Sequence, residues 1–129
     1  MAIRGVRGAT TANEDNPEEI LRVTCDLLQA MVRANPEMHP DDLASVLFTA
    51  SEDLISTYPA RAARDLGWDH IALMCAREIP VPGSVPRCIR VLIHWNTDLP
   101  QDAIRHVYMG AAANLRPDLS VADSQLKSE

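Results

Sequence analysis

The chain contains no run of the roughly 18 to 20 consecutive apolar residues that a membrane-spanning helix needs. Its opening, Met1-Ala2-Ile3-Arg4-Gly5, lacks the apolar core of a signal peptide, so a cytoplasmic location is expected. Cysteine is scarce. Cys25, Cys75 and Cys88 make neither a Cys-x-x-Cys pair nor an even set, which points to reduced thiols rather than a disulfide framework. His39, His70, His94 and His106 have no metal-ligand spacing, and none pairs locally with Cys75, which disfavours both a zinc site and a cysteine nucleophile. Nor is there a basic excess: 12 Lys and Arg face 18 Asp and Glu, for a net charge of -6. Nucleic acids and anionic membranes therefore have no electrostatic support as partners.

What is present suits one globular domain, since 129 residues with 47% apolar content can bury one core. Ile3 to Thr10 alternates as a strand, with Ile3, Gly5, Arg7 and Ala9 on one face and glycines that permit close approach. Asn16-Pro17-Glu18-Glu19 predicts a capped helix start, and Ile20, Leu21, Thr24, Leu27, Leu28, Met31 and Val32 recur at helical spacing until Pro36. Leu43 to Ala50 reads as a buried strand, 51–54 as a turn, and Pro59 to Leu66 as a short helix closed by Gly67. A strand over Ile71 to Cys75, a loop held by Pro80, Pro82, Gly83 and Pro86, and a long strand from Arg87 to Trp95 follow. Asp98 to Asp102 begins a short helix, and the apolar stretch from Val107 through Leu115 reads as a closing strand. The expected domain is 1–117, with a flexible polar tail over 118–129.

One residue disturbs this apolar pattern. Arg90 sits in Arg87-Cys88-Ile89-Arg90-Val91-Leu92-Ile93-His94-Trp95, where Ile89, Val91 and Ile93 form an apolar face and Cys88, Arg90, Leu92 and His94 a semi-polar one. An unpaired guanidinium taken out of water costs several kcal/mol, so an internal carboxylate or an anionic ligand should meet it. The second face of that strand should line a cleft. Arg7, Glu78 and Arg116 are further charges beside apolar or glycine-rich stretches, and Cys75 and Tyr108 add a thiol and a phenol. Each of these taken alone reads as an ordinary surface or core residue.

Together the segments resemble a known family. Ile3-Arg4-Gly5-Val6-Arg7-Gly8-Ala9-Thr10-Thr11, Tyr58-Pro59-Ala60-Arg61-Ala62-Ala63-Arg64, Cys75-Ala76-Arg77-Glu78, Arg87-Cys88-Ile89-Arg90-Val91, Thr97-Asp98-Leu99-Pro100-Gln101-Asp102, Ile104-Arg105-His106-Val107-Tyr108 and Leu115-Arg116-Pro117-Asp118-Leu119 are similar to the monofunctional chorismate mutases of the AroH type. The resemblance implies an α+β fold: a pseudo α/β-barrel protomer, a mixed sheet packed by helices, assembled as a homotrimer with active sites between subunits. It implies the cofactor-free rearrangement of chorismate to prephenate on the route to phenylalanine and tyrosine. By the same resemblance Arg90 stabilises the ether oxygen, Arg7 and Tyr108 bind carboxylates, and Glu78 and the Cys75 thiol meet the ring hydroxyl. Met74, Ala76 and Arg77 would join them in contacting substrate, Tyr58 and Leu115 would form walls, and Arg64 and Arg116 would add charge near the entrance. Tyr58 and Arg61 stand where relatives can carry phenylalanine and lysine, and Met74 where some carry a smaller polar residue.

Two other functions suit parts of this pattern. A non-enzymatic trimer could bind a small anionic metabolite, because a fold does not establish an activity. A hydrolase such as an imine deaminase of the RidA-like group would share trimeric architecture and an interface arginine, but lacks the Arg7 and Tyr108 motifs.

Overall fold

The first helix shows how local chemistry starts an element here. Asn16 Oδ1 accepts from Glu19 N at 2.8 Å, Pro17 occupies the first helical position, and two acidic residues meet the positive end of the helix dipole. The Glu19 carboxylate reaches past the cap to accept from Asn13 N at 2.7 Å. That bond, then the Arg22 guanidinium, holds the Glu19 carboxyl below the usual range. The helix stops at Ala34, before Pro36. Its last turn is tied by the buried Asn35 amide, which donates to Met31 O and Arg105 O and accepts from Arg105 N, all at 2.9 Å.

The structure is a computed structural model that describes residues 2–114 and 120–121. Its elements are β1 (Ile3–Thr11), α1 (Pro17–Ala34), β2 (Leu43–Ala50), α2 (Ala60–Asp65), β3 (Ala72–Arg77), β4 (Cys88–Asn96), β5 (His106–Tyr108) and β6 (Ser120–Val121), with 3-10 turns at Pro40–Asp42, Gln101–Ala103 and Gly110–Asn114. The described strands form one mixed sheet in the order β3-β2-β4-β1-β5-β6. β4 runs antiparallel to β1 and β2, while the β1/β5, β2/β3 and β5/β6 pairs are parallel. The expected α+β class with a mixed sheet packed by helices is what is found.

Helices cover one face of this sheet. Leu27, Leu28 and Met31 of α1 share a core cluster with Val6, Val46, Phe48, Val91, Ile93, Trp95 and Val107. Gly8 lets α1 come close: a Cβ there would lie 2.5 Å from Met31 Sδ and 3.2 Å from Leu27 Cδ1. The other face carries Arg7, Leu47, Thr49, Arg90, Leu92, His94 and Tyr108, as the cross-strand pairs of Arg7 with Leu92 and of Thr49 and Ala9 with Arg90 require.

Three boundaries differ from the sequence reading. β3 begins at Ala72 and runs on to Arg77, because its parallel pairing with Ser45 to Ala50 continues past Cys75. The closing strand is only His106–Tyr108. Gly110 then takes φ 58°, and the small residues after it coil into a 3-10 turn instead of extending to Leu115. Within the tail expected to be flexible, Ser120–Val121 pairs with His106 and Val107 as β6.

Gly8→Val should therefore overpack the β1/α1 contact and cost about 1–3 kcal/mol of stability. Urea unfolding at fixed protein concentration measures this, and a midpoint equal to that of the unsubstituted chain would contradict the close approach.

Candidate active site

β4 places Arg90 on the open face between Ala9 of β1 and Thr49 of β2. Two pairs further along, Arg7 stands opposite Leu92 on the same face. Glu78 follows β3 directly. Its backbone N–H donates to Ala50 O at 3.0 Å, and its carboxylate accepts from the Thr49 hydroxyl, so two bonds to β2 fix it beside Arg90. Glu78 Oε2 lies 3.5 Å from Arg90 Nε, with the side chains 25% and 33% exposed. Arg90 Nε is itself buried and makes no hydrogen bond among the described residues. The carboxylate thus offsets the arginine's charge while leaving a strong, directed donor unused.

Arg7, Glu78 and Arg90 line one cleft of about 200 Å³ together with Leu47, Thr49, Val91 and Leu92. A second cavity of about 290 Å³ lies under the proline loop, lined by Val81, Val85, Pro86 and Cys88, and again by Glu78 and Arg90. The Arg7 guanidinium carbon stands 5.7 Å from the centre of the buried Tyr108 ring, within cation–π range. Arg7 N donates to His106 Nδ1 at 3.0 Å, so that ring nitrogen is an acceptor and β5 is locked to β1 through a side chain as well as its ladder. Burial pushes the Cys88 thiol above its usual pKa, with Arg90 acting in the opposite sense, and so keeps it protonated beside the guanidinium. Two cations and one carboxylate facing one cleft, with a phenol ring packed under one of the cations, make a receptor for an anion.

The remaining expected site residues fall elsewhere. Cys75 pairs with Phe48 and turns its side chain to the helix-covered face, where it packs on the core. That parity turns the thiol away from the sheet face that carries Arg90. Arg77 is committed to the 51–54 turn, donating to Ser51 O at 2.6 Å and to Leu54 O at 3.0 Å. Tyr58, Pro59, Cys75, Ala76 and Arg77 line a separate cavity of about 410 Å³. Tyr58 and Met74 are exposed, and so is Arg64 in the last turn of α2. Leu115 and Arg116 lie outside the described residues. Sequence reasoning missed Thr49, Leu47 and His106. The alternation of Ser45, Leu47 and Thr49 with Val46, Phe48 and Ala50 carried the signal for the first two, but the segment reads as uniformly apolar until its neighbours are known.

The family model for chorismate mutase type I matches residues 3–119. The chain belongs to the type I chorismate mutases. Chorismate mutase is an isomerase activity, and it is the activity of this chain. The chorismate mutase AroH of Thermus thermophilus is 54% identical over 120 residues, covering 93% of this chain and 98% of the relative. That of Bacillus subtilis (strain 168) is 45% identical over 122 residues, covering 94% and 95%. A solved chorismate mutase from Clostridium thermocellum superposes with a TM-score of 0.81 at 45% identity, covering 84% of this chain and 96% of its own. Family membership and geometry meet at the cleft, since the matched span contains every side chain that lines it.

Because the Cys75 thiol packs on the core, Cys75→Ala should keep kcat/KM within about fivefold, the effect of a small packing change rather than a lost transition-state contact. Steady-state kinetics of the purified variant checks this, and a loss above about 100-fold would restore the thiol to the chemistry.

Proposed function

We propose that the cleft converts chorismate to prephenate by a Claisen rearrangement driven by fixed charge and conformational restriction. The observation that carries this reading is the convergence of Arg7, Glu78 and Arg90 on one cleft, with Arg90 Nε buried and lacking a hydrogen bond among the described residues. Chorismate is a dianion, and a guanidinium binds a carboxylate through two parallel hydrogen bonds. Arg7, with Tyr108 beside it, takes the carboxylate of the enolpyruvyl group. As the ether bond breaks, negative charge gathers on its oxygen and positive charge on the ring. Arg90 meets the first and Glu78 the ring side through its hydroxyl, so the pair binds the transition state more tightly than the ground state.

The rearrangement is intramolecular. It needs no proton transfer, no bond to the enzyme and no cofactor, only a substrate held in its compact diaxial form. That accords with a site built from arginines and a carboxylate rather than a nucleophile and base.

The assembly we propose is a cytoplasmic homotrimer of pseudo α/β-barrel protomers with a shared site at each interface. Two features support it. Arg7, Glu78 and Arg90 line one cleft while Tyr58 and Ala76 line a neighbouring cavity that shares only Thr49 with it, which suits a ligand held between this cleft and a second chain's cavity. The outer edge of β3 is unpaired among the described strands, and Met74 beside it is 66% exposed. Arg64 and Arg116 would add positive charge at the mouth of the site, and Leu115 a wall.

Loss of chorismate absorbance on adding purified protein tests the reaction, and a wild-type chain that leaves chorismate unchanged would overturn it. Arg90→Ala should slow turnover by at least about 10²- to 10³-fold, as removal of one preorganised oxyanion donor does. Sedimentation should give a mass near three protomers of 14.2 kDa, and a monomer active at the same concentration would refute the shared site.

A further inference from the structure

Residues outside the Arg90–Glu78 pair tie down the two segments that carry it. The segment 49–53 leaves the end of β2 and meets both. Thr49 Oγ1 and Ala50 O hold Glu78. Immediately after them, the Asp53 carboxylate accepts from Arg87 N at 3.1 and 2.9 Å with its two oxygens, and from Ser51 Oγ at 2.5 Å. Ser51 Oγ accepts in turn from Cys88 N at 2.9 Å, and Ser51 N donates to Cys88 O at 3.0 Å.

The two amides that open β4 are thus held by side chains rather than by a ladder. Arg87 adopts φ 48°, a left-handed conformation that a non-glycine residue keeps only when its surroundings impose it. Asp53 supplies that constraint from one side, and the bond from Arg87 Nε to Ala12 O at 3.0 Å supplies it from the other. Burial works against the ionised Asp53, but the Ser51 hydroxyl and the Arg87 amide outweigh it and hold the carboxyl below the usual range. Cys88, the residue the clamp fixes, lies two positions before Arg90 on the same strand face, with its thiol against the guanidinium.

We propose that Asp53, acting through Ser51, Arg87 and Cys88, is a positioning residue that fixes the Arg90 guanidinium relative to Glu78. It makes no contact with substrate in this scheme. The inference rests on the mutase reading, in which Arg90 meets charge that develops during the reaction. Its loss therefore weakens kcat more than KM. A displacement of about 1 Å in such a group can cost up to about 10²-fold in rate.

The test compares kcat, KM and the unfolding midpoint for the wild type, Asp53→Ala, Asp53→Asn and Ser51→Ala, with chorismate as substrate. Asp53→Ala should lower kcat roughly 10- to 100-fold with KM changed less than about threefold. Asp53→Asn keeps one acceptor for Arg87 N and should recover part of that loss. Ser51→Ala frees Cys88 N and removes one donor to Asp53 while leaving Arg87 N bound, so it should fall between Asp53→Ala and the wild type, which keeps the test open if Asp53→Ala does not fold. A kcat equal to wild type in Asp53→Ala and Ser51→Ala overturns the proposal. So does a fall that only tracks the fraction of folded protein, or a rise in KM with kcat unchanged, which would make Asp53 a binding residue. A wild type that does not turn over chorismate overturns the mutase reading instead, so the two failures are distinguishable.

Discussion

The Glu78–Arg90 pair is the constraint around which this molecule is arranged. A guanidinium on a central strand cannot be left alone, yet one fully satisfied by protein partners would have nothing left for a ligand. Among the described residues, the fold meets both conditions by placing one carboxylate 3.5 Å from Nε while leaving that nitrogen without a hydrogen bond. Each neighbouring choice follows. Thr49 must carry a hydroxyl to hold Glu78, Ala9 keeps the opposite cross-strand position small, and the helices must lie on the other face so that this one stays open.

The helix-covered face makes that openness possible. Because α1 presses against Gly8, Val6 and Val91, the sheet gains its main core from one side, with a smaller cluster of Ala9, Cys88, Tyr108 and Ala112 on the other, and residues such as Arg7, Thr49 and Arg90 are released for polar work. Arg7 is the clearest case, flanked by Val6 and Gly8, which face the helix, while its own guanidinium turns to the Tyr108 ring. Stability and chemistry thus divide by strand parity, a separation that period-two geometry provides at no added cost in length.

Much of this was legible in the chain. The alternation around Arg90 assigned its face correctly, the Asn16-Pro17 start and the Gly67 stop bounded the helices, and a cation among Ile89, Val91 and Ile93 announced a cleft. What was not legible depended on register. Nothing in Leu73 to Arg77 says which parity faces the helices; that is decided by the pairing of Cys75 with Phe48, and a shift of one residue would have sent the thiol to the other face. The end of β5 was obscured for a different reason. Alanines are compatible with strand or 3-10 turn, and only the positive φ of Gly110 against Thr11 decides between them.

The two sides of the cleft also differ in how they are fastened. Arg90 belongs to a nine-residue strand paired along both edges, whereas Tyr108 ends a three-residue strand that meets β1 at two register positions, Gly8 with Val107 and Ala9 with Tyr108. Besides that ladder and the Arg7–His106 bond, the buried Asn35 amide ties the start of this short strand to the helix through both backbone groups of Arg105. In the language of local unfolding, the cation proposed to act on the ether oxygen lies on a strand tied along both edges, and the phenol proposed to bind a carboxylate ends a shorter one. On the proposed mechanism, opening of the shorter strand would release the carboxylate grip without disturbing Arg90, so ligand exchange and chemical competence would be governed by different free energies.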